Sequence, residues 1–469
     1  MNNNEIDSPS NIEPFKVVIR IRPFLQKELN NQAQLNYSIK NNKTIPNNYQ
    51  IDYNKSIFTI PNSSMLLLQD HRIGGKVTKE FIFDKIFNEN NNNYYIFENC
   101  IKDMIDNLIK GYNSTVLAYG ITSSGKTHTI FGELNKKNIE GEKGIIFNSV
   151  NYLFHILKNN NNNNSNQINT FTLKASYLEI YNETVIDLLN KSSSQQQKSN
   201  LMIVEDPIKG IYVPDLLEYT INSAESLLAL INDGNTRRTM APTNQNVFSS
   251  RSHAILQINL EQHNIEENKI YTSKFLIVDL AGSERGGIEK GKRREEGANI
   301  NKSLLSLGNC INILSDKSKI GSFVPYRDSK LTRILKDSLG GNIKTLMLAC
   351  VSPSQLYYDE TFNTLNYATR AKKITKKIVK NVKNIINEDE TDYKEIIDAL
   401  KEEIETLKKI IKDQEILLKE KNLCNNNINY ISYNNDDKNE INNFINNNNN
   451  DILFNNEDIK DINLNEKKK

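Results

Sequence analysis

The sequence predicts an α/β domain built on an open central β-sheet, and three observations predict it. Residues 115–129, TVLAYGITSSGKTHT, are a short apolar run that breaks into a glycine-bounded loop and continues as a helix-compatible segment. Residues 81–119 read as strand, helix, strand: FIFDKIF, a helical stretch over 101–109, then the apolar run ahead of the loop. A second apolar run, FLIV at 275–278, ends in Asp279. The loop therefore stands at the carboxyl end of a central strand, where open α/β sheets bind their ligands.

In composition this loop is a phosphate cradle. Gly120, Gly125, Lys126 and Thr127 fit the pattern G-x-x-x-x-G-K-[ST]. The glycines let the backbone wrap closely around phosphates, and the N–H groups of the loop, with Ile121, Thr122, Ser123 and Ser124 between the glycines, face them. Lys126 adds a point charge, and the Thr127 hydroxyl is placed to ligate the Mg²⁺ bridging the β- and γ-phosphates. A glycine turn that binds nothing is the competing reading, and the strand directly upstream weakens it. Two further polar clusters, NVFSSRSH at 246–253 and DLAGSER at 279–285, would each pass alone for ordinary turns. With the phosphate loop they make three parts of one site. Asp279 supplies the second Mg²⁺ contact, directly or through water, and Gly282 offers an N–H to a γ-phosphate whose loss releases the loop.

With 469 residues the chain exceeds one ordinary domain but suits one large α/β domain with appendages. A formal net charge of +2 gives no global field favouring nucleic acid, so a charged partner must be met by a local patch. Cys100, Cys310, Cys350 and Cys424 are scattered, without CxxC spacing or a histidine cluster, which argues against zinc and a disulfide framework and for a reducing, intracellular setting. The N-terminal MNNNEIDSPS lacks a signal pattern and no apolar run approaches the ~18 residues of a membrane span, so the expectation is a soluble protein. Asparagine runs at 90–93, 159–164 and 446–450 read as surface loops and a disordered tail.

In chain order, residues 1–14 are polar and expected to be unstructured. FKVVIRIRP, from Phe15 to Pro23, is β-rich and carries Arg20 and Arg22 on one face. Two readings stay open there: an edge strand with solvated arginines, or a platform for a nucleotide base. Residues 144–157 read as an amphipathic helix, 170–181 as a strand, 224–233 as a helix and AILQINL after His253 as another strand.

The phosphate loop, NxxSSRSH and DLAGSE, together with the RxRP of Arg20, Arg22 and Pro23, SYLEIYNE at 176–183 and VPYRDSKLTRIL at 324–335, resemble the motor domain of kinesins, in that family's order. The resemblance covers 15–373. Within it, GNTRRTMAPTNQN (234–246), SRSHAILQI, EGANINKSLLSLGNCIN (296–312) and LTRILKDSLGGN (331–342) are most similar to the class-eight and class-nineteen kinesins. Members of those classes move towards microtubule plus ends, shorten the ends, or do both. The fold implied is the P-loop NTPase motor fold: a central mixed, mostly parallel sheet with helices on both faces, followed by a short coiled coil.

By the same resemblance, Thr127 and Ser250 hold Mg²⁺ with Asp279 behind a water, while Lys126 and the loop backbone neutralise the phosphates of ATP. Arg251 pairs with Glu284 when ATP is bound, which positions Ser249 and the attacking water, and Glu284 accepts the water's proton through a short relay. Arg20, Arg22 and Pro23 line the adenine with His128 close by, and Phe97 falls where many kinesins carry a tyrosine that stacks on the base. Ile121 departs from the small or polar residue usual there, which implies a tuned affinity rather than a dead site, and Val247 replaces a frequent glutamate. Microtubules are acidic, and the contacts implied are Arg285, Lys290, Lys292, Arg293 and Arg294, in an insert ahead of a long helix beginning near Asn299, with Arg327, Lys330 and Arg333.

Beyond the motor, RAKKITKKIVKNVK at 370–383 includes, by resemblance, the neck linker, with the neck spanning 374–390; a nuclear-import patch is the alternative. Tyr393, Ile397, Leu400, Ile404, Leu407, Ile411, Gln414 and Leu418 then recur at heptad spacing, so 391–421 reads as a weak parallel two-stranded coiled coil or as an amphipathic helix folded onto the motor. Residues 422–469 read as an asparagine-rich tail. The expectation is an ATP-hydrolysing microtubule motor on the cytoplasmic cytoskeleton, the spindle included. Its rivals are an end-depolymerising kinesin with little transport, a microtubule-binding scaffold, and an ATPase acting on something other than tubulin.

Overall fold

The computed structural model describes residues 12–30, 55–133, 142–162, 170–190, 200–206, 210–239, 251–264, 267–284, 292–384 and 398–412, of which 30, 160–162, 239 and 292–301 are described by their backbone alone. It comprises two compact units, Met1–Ile385 and Ile386–Lys469.

Eight strands carry the first unit: β1 (Lys16–Ile21), β2 (Lys85–Phe87), β3 (Ser114–Tyr119), β4 (Thr170–Tyr181), β5 (Tyr219–Thr220), β6 (His253–Asn264), β7 (Lys269–Asp279) and β8 (Lys344–Val351). Their spatial order is β5-β4-β6-β7-β3-β8-β1-β2, with Thr184–Asp187 and Val382–Asn384 paired outside this path. From β7 to β2 every pairing is parallel, and from β5 to β7 every pairing is antiparallel. The sheet is mixed as the resemblance implied, but "mostly parallel" describes only one half. The physical reason is connectivity. β6 and β7 are joined by the short stretch 265–268, and a connection that short forces antiparallel pairing, whereas parallel neighbours need a crossover.

Side chains alternate across the sheet and build two cores. Val18, Val116, Ala118, Phe275, Ile277, Leu346 and Leu348 face α1 (Asn93–Ile96, a π turn at Phe97–Ile101, and Lys102–Ile109), α3 (Ile145–Asn162) and α4 (Ala224–Thr239). Val17, Ile19, Leu117, Tyr119, Leu276, Val278, Met347 and Ala349 face α5 (Lys292–Leu314) and α6 (Tyr358–Ala371). Helices thus cover both faces, as expected. Between β3 and α3 the chain makes α2 (Lys126–Phe131).

Several expectations are corrected here. β1 lies between β8 and β2 rather than at an edge, and Arg20 and Arg22 are each only 5% exposed, so the reading with solvated arginines fails. α5 begins at Lys292 rather than near Asn299, which puts Lys292, Arg293 and Arg294 in its first turn and not on a loop. Residues 12–14 are not unstructured: Ile12–Pro14 pairs antiparallel with Thr375–Lys377. The strand at 170–181 matches the expectation, and α3 and α4 run beyond it at their C-terminal ends. Among the described residues no helix is long and apolar enough to cross a membrane.

The segment after α6 lies along the first unit. Val382–Asn384 adds to the free N-terminal part of β7, and the Asn342 side chain donates to Val379 O (2.9 Å) and accepts from Val379 N (2.5 Å). Lys376 is 6% exposed. Its ammonium donates to Ser338 O (2.7 Å), Thr345 Oγ1 (2.8 Å) and Ile343 O, and sits 4.5 Å from the centre of the Phe15 ring. In the second unit the described helix, 398–412, leaves Leu400, Ile404, Leu407 and Ile411 about half exposed, a stripe available to a partner; positions 393, 397, 414 and 418 of the heptad lie outside the described residues.

The Lys376 socket generates a prediction. Lys376→Met removes three hydrogen bonds, and although the Thr345 hydroxyl still reaches Ser338 O and Ile343 O, amide exchange over 375–384 should quicken about tenfold while β3 is unchanged. Unchanged protection would show that backbone pairing alone holds the segment.

Candidate active site

β3 is buried along its whole length and delivers the chain to the loop at 120–125. Gly120 has φ +146°, and a Cβ there would stand 2.2 Å from the Cys350 carbonyl oxygen, so only glycine fits. Ser123 and Gly125 also take positive φ, of 63° and 100°, which curls the loop over the start of α2. The Ser124 hydroxyl, fully buried, donates to Ile121 O at 2.7 Å. Lys126, 6% exposed, donates to the carbonyls of Gly120 and Ile121, each at 2.8 Å. Burial lowers its pKa, against the pull of Asp279 and Glu284.

The parallel register of β7 on β3 sets Asp279 beside Ala118, one strand over from the loop. Its Oδ2 accepts from Thr127 Oγ1 at 2.9 Å and from Arg238 Nη1 at 2.9 Å. Arg238, near the end of α4 and 2% exposed, also donates to Ser252 O at 3.1 Å and comes within 3.8 Å of Glu179. Burial works against its charge, but Asp279, Tyr177 and Glu179 together hold its pKa above the usual value. The sequence reading missed Arg238. A signal was present: it continues the buried stripe Leu227, Ile231, Gly234 at helical spacing, and a cation on a core stripe implies a buried anion.

The oxygen Asp279 Oδ1 is buried with no hydrogen-bond partner, beside the Thr127 hydroxyl. Two hard oxygen donors, one of them an orphaned carboxylate oxygen, fit Mg²⁺. Among the described residues there is no group of three or more His, Cys, Asp or Glu that could hold a metal. Ser249 and Ser250 lie outside the described residues.

The loop after Asp279 is fastened to the phosphate loop. Leu280 N donates to Ala118 O (3.3 Å), and Ser283 N to Gly120 O (3.1 Å). The Glu284 carboxylate accepts from Thr122 N at 2.7 Å and from the Thr122 hydroxyl. A Cβ on Gly282 would lie 2.3 Å from Thr122 Oγ1. Glu284 is thus held by Thr122 here, whereas the resemblance assigns it to Arg251 with ATP bound.

A cleft of about 760 Å³ opens over the loop, lined by Arg20, Arg22, Pro23, Thr122, Ser123, Gly125, Lys126, Thr127 and His128 from the expected set. Leu25, Lys27, residues 89–92 and Glu142 complete it without having been anticipated. Gly120, Ile121 and Ser124 shape the loop from behind rather than lining the cleft. Phe97 is the clear correction: it is 2% exposed, points from the π turn of α1 into the core and meets Tyr152 of α3 edge-on at 5.7 Å, so its ring is not in the cleft. An apolar ring without a hydroxyl is better buried. The two arginines are braces as much as walls. Arg20 bonds Asn93 and Thr129, and Arg22 pairs with Glu28 while its Nε donates to Ser123 O at 2.7 Å. His128, 3.6 Å from Glu142, has its pKa lowered by burial and then by Arg20.

Of the expected basic contacts, Arg327 is well exposed, Lys330 is half-buried with its N–H on Glu183, and the Nε of Arg333 is buried without a partner. Arg285 and Lys290 lie outside the described residues. The turn between α5 and Arg327 exposes Lys317, Lys319, Ile320 and Phe323, none of them anticipated, with the two apolar side chains 84% and 80% exposed.

The pattern of the kinesin motor domain matches residues 20–374. Kinesin-like protein KIF18A of Mus musculus is 41% identical over 353 residues, 74% of this chain and 38% of that protein. Kinesin-like protein KIP3 of Saccharomyces cerevisiae is 44% identical over 324 residues, 68% and 38% of the two, and kinesin-related protein 10 of Dictyostelium discoideum is 39% identical over 411, 83% and 31%. The chain therefore spans about a third of the length of these relatives. Among solved structures, that of a fast kinesin superposes with a TM-score of 0.66 at 34% identity, covering 80% of this chain and 96% of the other. A KIF14 dimer bound to a microtubule gives 0.66 at 32%, covering 79% and 96%.

Removing the cation from a buried ion pair strands the remaining charge. Arg238→Met should therefore lower unfolding free energy by about 3–5 kcal/mol in chemical denaturation. A loss under about 1 kcal/mol would mean that other donors meet Asp279 once the guanidinium is gone.

Proposed function

The chain belongs to the kinesin motor domain family, and from that premise we propose that it is a microtubule-stimulated ATPase that converts ATP hydrolysis into movement along microtubules. The observation that carries the reading is the joining of the two loops. Glu284 and Ser283 bond the phosphate loop at Thr122 and Gly120, so a γ-phosphate in the cleft competes for the groups that fix the second loop.

ATP would lie on Lys126 and the backbone of 121–127, between Arg20, Arg22, Pro23 and His128. Thr127 and Ser250 would hold Mg²⁺, with Asp279 behind a water, and the ion would supply charge neutralisation of the phosphates. Glu284, turned from Thr122 to Arg251, accepts the proton of the attacking water by a short relay, and Ser249 orients that water. Gly282 offers its N–H to the γ-phosphate, and a side chain at this position would collide with those of Thr122 and Glu284. Because phosphoryl transfer needs positioning and electrostatic stabilisation more than covalent help, these groups suffice.

Tubulin is the partner, met by the basic and apolar surface of Lys317, Lys319, Ile320, Phe323 and Arg327 with the first turn of α5. Residues 391–421 support a weak parallel homodimer. The protein acts on microtubules of the cytoplasm, including the spindle. Resemblance to class-eight kinesins favours plus-end movement, and shortening of those ends is the second reading. A decayed scaffold is disfavoured by the intact Lys126, Thr127, Arg251, Asp279 and Glu284.

Saturating microtubules should raise ATP turnover at least tenfold, into the range of about 1–10³ s⁻¹, and Lys126→Ala should lower it about 10²–10³-fold. Turnover indifferent to microtubules would point to an ATPase with another partner. Equal end-shortening with and without ATP would remove the motor from the second reading.

A further inference from the structure

His253 opens β6 directly after the SSRS of the first cluster, and it has so far been given no role. It is 2% exposed. Its Nδ1 accepts the backbone N–H of Ala281 at 3.1 Å, which leaves the ring proton on Nε2, and Nε2 lies 2.8 Å from Ser303 Oγ on α5. Ala281 sits between Asp279 and Gly282, inside the loop fastened to the phosphate cradle. Ser303 is 2% exposed and faces the sheet, whereas Lys302, Leu305 and Asn309 of the same helix face outward. One imidazole therefore spans the sheet, the acidic loop and the long helix.

Both ring nitrogens are spent on these bonds, so His253 is neither a metal ligand nor a proton shuttle. Burial, with the cations of Arg238 and Lys126 facing the ring, pushes its pKa down to about 3, so the ring stays neutral and its tautomer fixed. A hydrogen bond this short tolerates only a few tenths of an ångström before it weakens, and no solvent reaches the ring to replace a lost partner. A shift of α5 must then either draw Ala281 with it or break the bond to Ser303.

We propose that His253 is a positioning residue that couples the place of α5 to the loop 279–284, so that a filament bound to the outer side of α5 acts on Gly282 and Glu284 through this imidazole. The inference rests on the reading of the chain as a microtubule motor. Its carrier is a two-bond bridge from one rigid strand, and a coupling of this kind is worth about 5–150-fold in an equilibrium.

The test uses the full chain. Ser303→Ala removes the helix end of the bridge and leaves microtubule-free turnover within about twofold, while stimulation by microtubules falls at least fivefold. His253→Asn keeps an acceptor for Ala281 but does not reach Ser303; its stimulation falls equally, and the double variant falls no further. Side-chain ¹⁵N spectra, with only five histidines in the chain, report His253 as the neutral Nε2–H tautomer from pH 5 to 8. Equal losses with and without microtubules, additive losses in the double variant, or a His253 that titrates in that range overturns the inference. Wild-type turnover indifferent to microtubules overturns the functional reading as well, and so separates the two failures.

Discussion

Asp279 is a carboxylate taken out of water at the end of a buried strand, and the site is arranged around meeting its charge. It is 1% exposed, and a charge so placed is tolerable only with partners in good geometry. The sheet supplies them by register. Parallel pairing of β7 on β3 brings Asp279 level with the start of the phosphate loop, where Thr127 donates to it, and α4 inserts Arg238 from the other side. Three elements distant in sequence are thereby fixed relative to one another to within a hydrogen bond, with one carboxylate oxygen left without a hydrogen-bond partner.

Around that fixed point the structure keeps a second layer of weaker, exchangeable contacts. Glu284 takes two hydrogen bonds from Thr122 and Ser283 gives one to Gly120, all at a partly exposed loop and each worth about 1–3 kcal/mol. Interactions of that size can be traded for contacts to a phosphate without disturbing the core. On the proposed reading the division is physical: buried charges define where the nucleotide sits, and exchangeable bonds decide what the loop does when the γ-phosphate leaves.

The phosphate loop and Asp279 were legible in the sequence because their chemistry fixes spacing locally: glycines where a Cβ collides, lysine and threonine at the helix start, an acid closing an apolar strand. The strand at 170–181 was legible for the same local reason. What was not legible depends on distant partners. Arg20 and Arg22 look solvated until Asn93, Thr129 and Glu28 are brought to them, and Ile12–Pro14 is a strand only because Thr375–Lys377 returns beside it. Phe97 was assigned by position in a family pattern, but burial against Tyr152 outweighs exposure in the cleft. The early start of α5 and the antiparallel half of the sheet are likewise set by packing and connection rather than by local pattern.

The most direct test of the central claim, that nucleotide chemistry at Lys126, Thr127 and Asp279 is coupled to a filament, is to image stabilised, polarity-marked microtubules under the purified full-length protein with ATP, beside Lys126→Ala. The account predicts that wild-type protein travels towards one marked end and that the variant binds without travelling. Identical binding by the two, with no movement by either, would contradict it.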